Sequence, residues 1–442
     1  MSALLPAETQ VLVVGAGPTG LATAISLVCN GLESSKLLVV DGAEKGTNTS
    51  RAIAIHAATL EALDTYDCAS KLVELGIKGT DWALGDRTSS ILRTDFSYIS
   101  SHTKFPFALM LAQTATENVL EERLNELGVK VVRPFRVVGM KDSAYGIGTD
   151  VLFESGEVVR CDYVVGADGA RSTVRQLSGI NFSDPDGQSF EDSTNDRVGQ
   201  MVLADLSLSQ DNVFPKGVSL TVSKAGMFVL MPLGKPVIGE MLYNSSETVY
   251  RIGFNVPRAL GEPPSQPSLE FLQANIDEYA PIRLSSDPNV NPNPIHITKV
   301  HWSTRYRIQS AIADVFFKRV HGGSVFLVGD AAHIHPPNGG QGMNLGLRDA
   351  TGLGPILTEH IRKREERQPH DEEDTTALES YAALRRMRGL GNIKLTKVMV
   401  GTTDFVMQPH LLNWPVWVLR MLSRIPVFKR QIAYRLSGLG NR

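Results

Sequence analysis

Gly15-Ala16-Gly17-Pro18-Thr19-Gly20 follows the apolar run VLVV and precedes residues 18–30, where Leu21, Ala24, Ile25 and Val28 carry helical spacing. This is G-x-G-x-x-G at a strand-to-helix junction. The first glycine makes a tight turn, the second lets backbone approach a pyrophosphate, and the third lets helix and strand pack closely. Amide groups at the helix start then face the phosphate charge. A second buried strand, KLLVVD (36–41), ends in Asp41, an acid placed to accept from ribose hydroxyls. That chemistry is dinucleotide binding. The alternative is a plain glycine turn, and the motif alone does not choose NAD over FAD.

Two later motifs carry more. CDYVVGADGARSTVRQ (161–176) sets a strand end against Asp168-Gly169, followed by Arg171. GDAAHIHPPNGGQGMNLGLRDA (329–350) sets Asp330 at a strand end and then a Gly-rich loop at a helix start. In this order the three motifs resemble the group A flavoprotein aromatic hydroxylases, the family of 4-hydroxybenzoate hydroxylase and phenol hydroxylase. The pentachlorophenol-monooxygenase and phenol-hydroxylase branch matches best, from about residue 10 to 440.

The resemblance implies FAD, with NADPH or NADH as a transient reductant that has no Rossmann domain of its own. It places Gly15, Gly17, Thr19 and Gly20 at the pyrophosphate, Asp41 on the AMP ribose and Arg51 near the pyrophosphate. Gln113 corresponds to a glutamine that contacts the cofactor. Asp168 and Gly169 correspond to a motif serving both FAD and NAD(P)H, and Asp330 to a ribityl contact. Gly342, Met343 and Asn344 would face the flavin pyrimidine edge, where a helix N-terminus stabilises negative charge. Singly, Asp168 and Asp330 read as strand-end turn residues.

There are departures. The chain has HAATLE where many relatives have HARTLE, so Ala58 replaces an arginine. Thr351-Gly352-Leu353-Gly354 replaces an Asn-Leu type sequence and is expected to loosen a helix, since each glycine costs about 1 kcal/mol.

The implied activity is hydroxylation of a phenolic small molecule with O2, through a flavin C4a-hydroperoxide. Oxidative decarboxylation of a 4-hydroxybenzoate-type acid, or alkene epoxidation, would use the same flavin constellation. No WxWxIP-type segment supports a halogenase. A phenol reacts better as phenolate, so a proton acceptor is expected near its oxygen. His56, Tyr243, His333 and His335 are the candidates, with His56 chosen for a catalytic role against plain packing. Phe228 and Tyr243 are the candidate substrate contacts, Phe228 competing with a core role. Lys224-Ala225-Gly226 stands where carboxylate-binding relatives supply an arginine, which favours a neutral or lipophilic phenol. No metal site is expected, because His333 and His335 lack an accompanying carboxylate or cysteine set.

The elements that must position these residues follow from pattern. Apolar runs at 11–17, 36–41 and 324–330 read as buried parallel strands. Residues 113–127, 268–279 and 375–401 read as helices, and another begins near Gly342 and runs past Ile361. From 199 to 256 the pattern alternates through QMVLADLSL, GVSLTVSK, GMFVLMPL, PVIGEMLY and YRIGFNV, an antiparallel sheet with one covered face. The fold class is α/β: a Rossmann-like FAD-binding domain with an inserted, mainly antiparallel β-sheet substrate domain and a C-terminal helical segment. The expected FAD domain comprises 1–180 and 300–400, with some strands near 80–110 on the substrate side. Residues 181–299 form the substrate domain, and 401–442 are helices packing on the FAD domain.

Composition agrees with this. The chain has 442 residues, 42% hydrophobic and 21% charged, enough for a large core in two or three domains. A net charge of −3 gives no electrostatic case for nucleic acid. Three scattered cysteines, Cys29, Cys68 and Cys161, suit a reducing, cytoplasmic setting. Neither a signal segment nor a membrane-spanning helix is expected. Residues 411–442 contain no acid and six basic residues, with Trp414 and Trp417 beside leucines. Packing on the FAD domain is the preferred reading there, a membrane-surface helix pair the other. A homodimer is a family expectation only.

Overall fold

The computed structural model describes residues 5–44, 52–143, 148–186, 200–210, 217–223, 226–256, 261–307, 309–337, 339–366, 374–406 and 414–441. Arg51, Lys224 and Ala225 lie outside them.

One sheet of eight strands carries a parallel centre, ordered Gly323–Leu327, Val158–Gly166, Glu8–Val14, Leu37–Val40 and Val131–Val132. Its strands are near-continuous apolar runs, as a sheet buried on both faces requires. Val11, Leu12, Val13, Val39, Val164 and Val165 are wholly buried. The register aligns the strand ends. Val14 lies opposite Val40 and Gly166, and Gly166 opposite Leu327. Gly15, Asp41, Asp168 and Asp330 therefore emerge side by side from one edge.

The helices Pro18–Cys29 and Gln341–Glu365 cross very closely. A Cβ at Gly354 would lie 2.0 Å from Ser26 Oγ and 2.7 Å from its carbonyl oxygen. The helix is unbroken through Thr351-Gly352-Leu353-Gly354. The expected loosening is therefore corrected: Gly354 is what admits the crossing.

The second sheet has seven strands, ordered Ile297–Arg307, Gln200–Leu208, Tyr250–Val256, Gly226–Pro232, Gly217–Ser223, Asp81–Gly85 and Ser90–Asp95. Even-numbered residues of its central strands, Val202, Ala204, Phe228, Leu230, Ile252 and Phe254, pack under the helix Leu269–Tyr279. Odd-numbered Met201, Leu203, Val229 and Met231 face the other way, and Met231 also packs against the core of the first domain.

Three boundary expectations change. Residues 300–307 belong to the substrate sheet, since Ile297–Arg307 pairs antiparallel with Gln200–Leu208. PVIGEMLY is a helix, Pro236–Tyr243, with proline in its first turn and Asn244 left-handed at φ 49° beyond its end. An eight-residue apolar run satisfies either period, and proline at a helix start decides it. The helices Trp414–Leu422 and Pro426–Leu436 pack on Ser90–Asp95 and Phe96–Ile99, on the substrate side. Just beyond the second helix the chain touches the first domain, where Ala58 N donates to Ser437 O at 3.1 Å and Gly438 lies against the Ala58 methyl. A small residue at 58 suits that contact. No helix among the described residues is long and apolar enough to cross a membrane.

Candidate active site

The glycine turn is built tightly on one side and open on the other. Gly15 has φ +104°, and a Cβ there would meet Ala167 O at 2.4 Å. A Cβ at Gly20 would meet Gly15 O at 1.8 Å, but one at Gly17 would have nothing within 4 Å. Backbone and helix thus close the back of the turn, and Gly17 faces open space at the N-terminus of Pro18–Cys29. Asp41 ties the turn to its neighbour: Ala16 N donates to Oδ2 at 2.7 Å and Ala43 N to Oδ1 at 2.8 Å. Thr19 Oγ1 would lie 2.6 Å from a Cβ at either Gly329 or Gly346, so the hydroxyl joins all three cofactor segments.

Asp168 Oδ2 accepts from Thr173 N at 2.7 Å and Val174 N at 3.1 Å, capping the helix Thr173–Leu177. Its Oδ1 is buried with no hydrogen-bond partner. Burial raises the carboxyl's pKa against these bonds. Gly169 beside it has φ +81° and open space at its Cβ position. Arg175, not anticipated from sequence, links this loop to the next: it donates to Ala170 O and Ala331 O, both at 2.8 Å, and lies 3.8 Å over Phe182.

Asp330 is exposed in the short turn Gly329–Ala331. Gln113 opens its helix, its Nε2 donating to Glu117 at 2.9 Å and its Oε1 accepting from Ala52 N at 3.4 Å. Gly342 and Met343 lie in the first turn of Gln341–Glu365, where N–H groups lack intrahelical partners. The Asn344 side chain does something else. Its amide donates to Ala54 O at 2.8 Å and Gly340 O at 2.7 Å, and its oxygen accepts from His56 N at 2.8 Å. With these bonds made, the fully buried side chain clamps strand to helix.

His56 is buried beside Gly340, its Nδ1 without a partner. Burial, then the Arg348 guanidinium, lowers its pKa from 6.5 to about 4. It is neutral at physiological pH. His335 is neutral too, at about 4 through burial, with Nδ1 bonded to Pro336 O and Nε2 accepting from Asn392. His333 Nε2 lies 2.6 Å from Asp349 Oδ2, and Arg385 Nε donates to Oδ1 at 2.6 Å. Gly329 N also donates to Asp349, at 3.3 Å. Burial would raise the Asp349 pKa, but Arg385 and His333 outweigh it and hold the carboxyl below its ordinary value. This buried group pins the Asp330 turn from beneath.

The expected substrate contacts move. Phe228 is 1% exposed, stacked 6.3 Å from Phe254 on the even face of the sheet, under its outer helix. It is core, because strand alternation turns it away from the FAD sheet. Tyr243 donates its hydroxyl to Asp205 Oδ2 at 2.5 Å and stacks on His301. Arg251 donates to both Asp205 oxygens, at 2.6 and 2.7 Å. Tyr243 thus closes a buried ion pair at one end of the inner face. The face itself is lined by Met201, Leu203, Leu220, Val229, Met231, Trp302 and Tyr306.

These parts suit FAD. The open side of Gly17 at a helix start fits a pyrophosphate, and the orphan Asp168 oxygen fits a donor from the bound group. Among the described residues no cluster of histidine, cysteine or acidic side chains could hold a metal.

The FAD binding domain family matches residues 8–238 and 287–387. The 6-methylpretetramide 4-monooxygenase of Streptomyces rimosus is 28% identical over 97% of this chain and 68% of its own length. Para-nitrophenol 4-monooxygenase of a Pseudomonas strain is 29% identical over 80% of this chain and 78% of its own. The crystal structure of p-nitrophenol 4-monooxygenase from Pseudomonas putida superposes with a TM-score of 0.74, covering 98% of this chain and 99% of that one at 22% identity.

Proposed function

This chain belongs to the FAD binding domain family and is a flavoprotein monooxygenase, and on that premise we propose that it hydroxylates a neutral, flat phenolic compound, taking electrons from NAD(P)H. One observation supports the substrate class above the others. The sheet face turned towards the FAD domain is apolar and aromatic, and Arg251 at its end donates Nε and Nη2 to Asp205 while its Nη1 is buried without a partner. A ring would find Trp302, Tyr306 and Met231 to lie against, and the charge of Arg251 at the end of the face is balanced by Asp205. The names of relatives that act on 6-methylpretetramide and on para-nitrophenol agree with a ring-bearing substrate.

Bound FAD, once reduced, supplies the activation of dioxygen. The chain's own residues do the rest. Gly17 and the helix start behind it bind the pyrophosphate, and Asp41, Asp168 and Asp330 offer oxygens along the strand edge. The first turn of Gln341–Glu365 favours negative charge near the pyrimidine edge. His56 accepts or passes a proton at Nδ1. With its pKa near 4 it does not store one at neutral pH. Closing the apolar wall over the ring excludes water from the reacting position.

The test uses the FAD-loaded protein with NADPH and oxygen, offering a phenol and its para-carboxylated analogue in parallel. Product mass and NADPH loss are recorded together. One oxygen gained on the plain phenol is the expected result. Loss of the carboxyl with one oxygen gained, on the analogue only, replaces this reading with oxidative decarboxylation.

A further inference from the structure

The described chain closes on two short helices, Trp414–Leu422 and Pro426–Leu436. Their inner side is used: Ala433 is fully buried with Phe96 and Ile99, and Thr94 Oγ1 donates to Lys429 O at 2.9 Å. Their outer side is not. Trp414 is 51% exposed, Trp417 62%, Met421 45%, Ile425 46% and Val427 76%. Trp414, Trp417 and Met421 recur at i, i+3 and i+7, so they share one helix face. Single exposed apolar residues are ordinary, but five within fourteen positions, two of them tryptophan, form a patch.

The segment that carries the patch has charge of one sign, although Asp86 of a neighbouring turn pairs with it. Residues 411–442 contain Arg420, Arg424, Lys429, Arg430, Arg435 and Arg442 and no acid. Arg420 is held by Asp86 and Ser89, and Arg430 lies 2.6 Å from His102 Nε2. Arg424 and Arg435 are exposed. A second copy of the same face would bring these cations together. An anionic lipid surface instead pairs with them and takes indole rings at the depth they favour.

We propose that the outer face of helices Trp414–Leu422 and Pro426–Leu436 docks on anionic lipid bilayers, with Trp414 and Trp417 inserted among the headgroups and Arg424 beside them. The contact is peripheral and reversible. It brings the enzyme to the phase in which an apolar ring compound accumulates.

The experiment is flotation of the FAD-loaded protein with vesicles of phosphatidylcholine alone or mixed with phosphatidylserine, at low and raised salt. Binding is expected only with phosphatidylserine and is expected to weaken with salt. Trp414→Ser and Trp417→Ser should each weaken it roughly tenfold, and Arg424→Ala about fivefold. The blue shift of tryptophan emission on binding should vanish in the double tryptophan variant, leaving only Trp82 and Trp302. These side chains are exposed, so flavin content and melting temperature should stay as in the parent, and they control for folding. No binding to either vesicle, or equal binding to both, overturns the proposal. So does a dimer in solution that Trp417→Ser dissolves, which would make the face an interface between copies.

Discussion

Gly17 and Gly20 sit three residues apart and should fail in opposite ways when each is replaced by alanine. At Gly20 the new methyl would lie 1.8 Å from a backbone oxygen of Gly15, with no side chain able to rotate away. Helix and turn must separate, at the upper end of overpacking costs, about 3 kcal/mol. At about 1 °C per kcal/mol for a chain of this length the apoprotein should melt about 3 °C lower. At Gly17 the methyl meets nothing within 4 Å, and φ −71°, ψ −179° suits alanine. The apoprotein should therefore melt within about 0.5 °C of the parent. Its FAD affinity should nevertheless fall about 10- to 100-fold, because the methyl occupies the approach of the pyrophosphate. Thermal melts of both apoproteins and a fluorescence titration with FAD decide the matter. Parent-like FAD affinity in Gly17→Ala would remove the pyrophosphate from that open side. An unshifted melt in Gly20→Ala would show that the helix does not press on the turn.

Asp349→Asn leaves Arg385 buried without its anion and should cost about 3–5 kcal/mol in urea unfolding at neutral pH. Because the native carboxyl titrates below 3.8, its contribution is complete above that value and lost as pH falls through the native pKa, so the variant should lack this acid limb. His56 and His335 act over a higher window. Each is neutral in the fold down to about pH 4 but protonates near 6.5 when unfolded, so stability is full above 6.5 and falls below it. By pH 5 each should have cost roughly 2 kcal/mol, and His56→Gln should flatten the melting-temperature profile between those values. Asp330→Ala, at an exposed position, should change apoprotein stability by no more than about 0.5 kcal/mol while flavin absorbance per protein is lost.

The cofactor half was legible because its signals are local. A glycine turn, an acid at the next strand end and two strand-end Gly-Asp pairs each declare themselves within a few residues, and parallel register lines them up. The substrate half was less so. Phe228 differs from Val229 only in parity, and which parity faces the cofactor depends on a helix near residue 270. Residues 236–243 fit either period, and 300–307 lie across the expected boundary because their strand pairs with one almost a hundred residues earlier. The Asp349 group was invisible for the same reason. Arg385 lies thirty-six positions after its partner, and no motif marks it.

The interleaving of the two sheets also constrains how the chain can be made. Glu8–Val14 needs Val158–Gly166 beside it, and that strand needs Gly323–Leu327. The substrate sheet likewise joins Asp81–Gly85 to Gly217–Ser223 and closes only with Ile297–Arg307. Neither sheet is complete until the ribosome has released almost three quarters of the chain. Sequence-distant pairing of this kind folds slowly and leaves strand edges waiting. The nascent protein therefore spends most of its synthesis, at a typical 5–20 residues per second, with its cofactor turn translated but the Gly329–Ala331 turn that packs on Thr19 still missing.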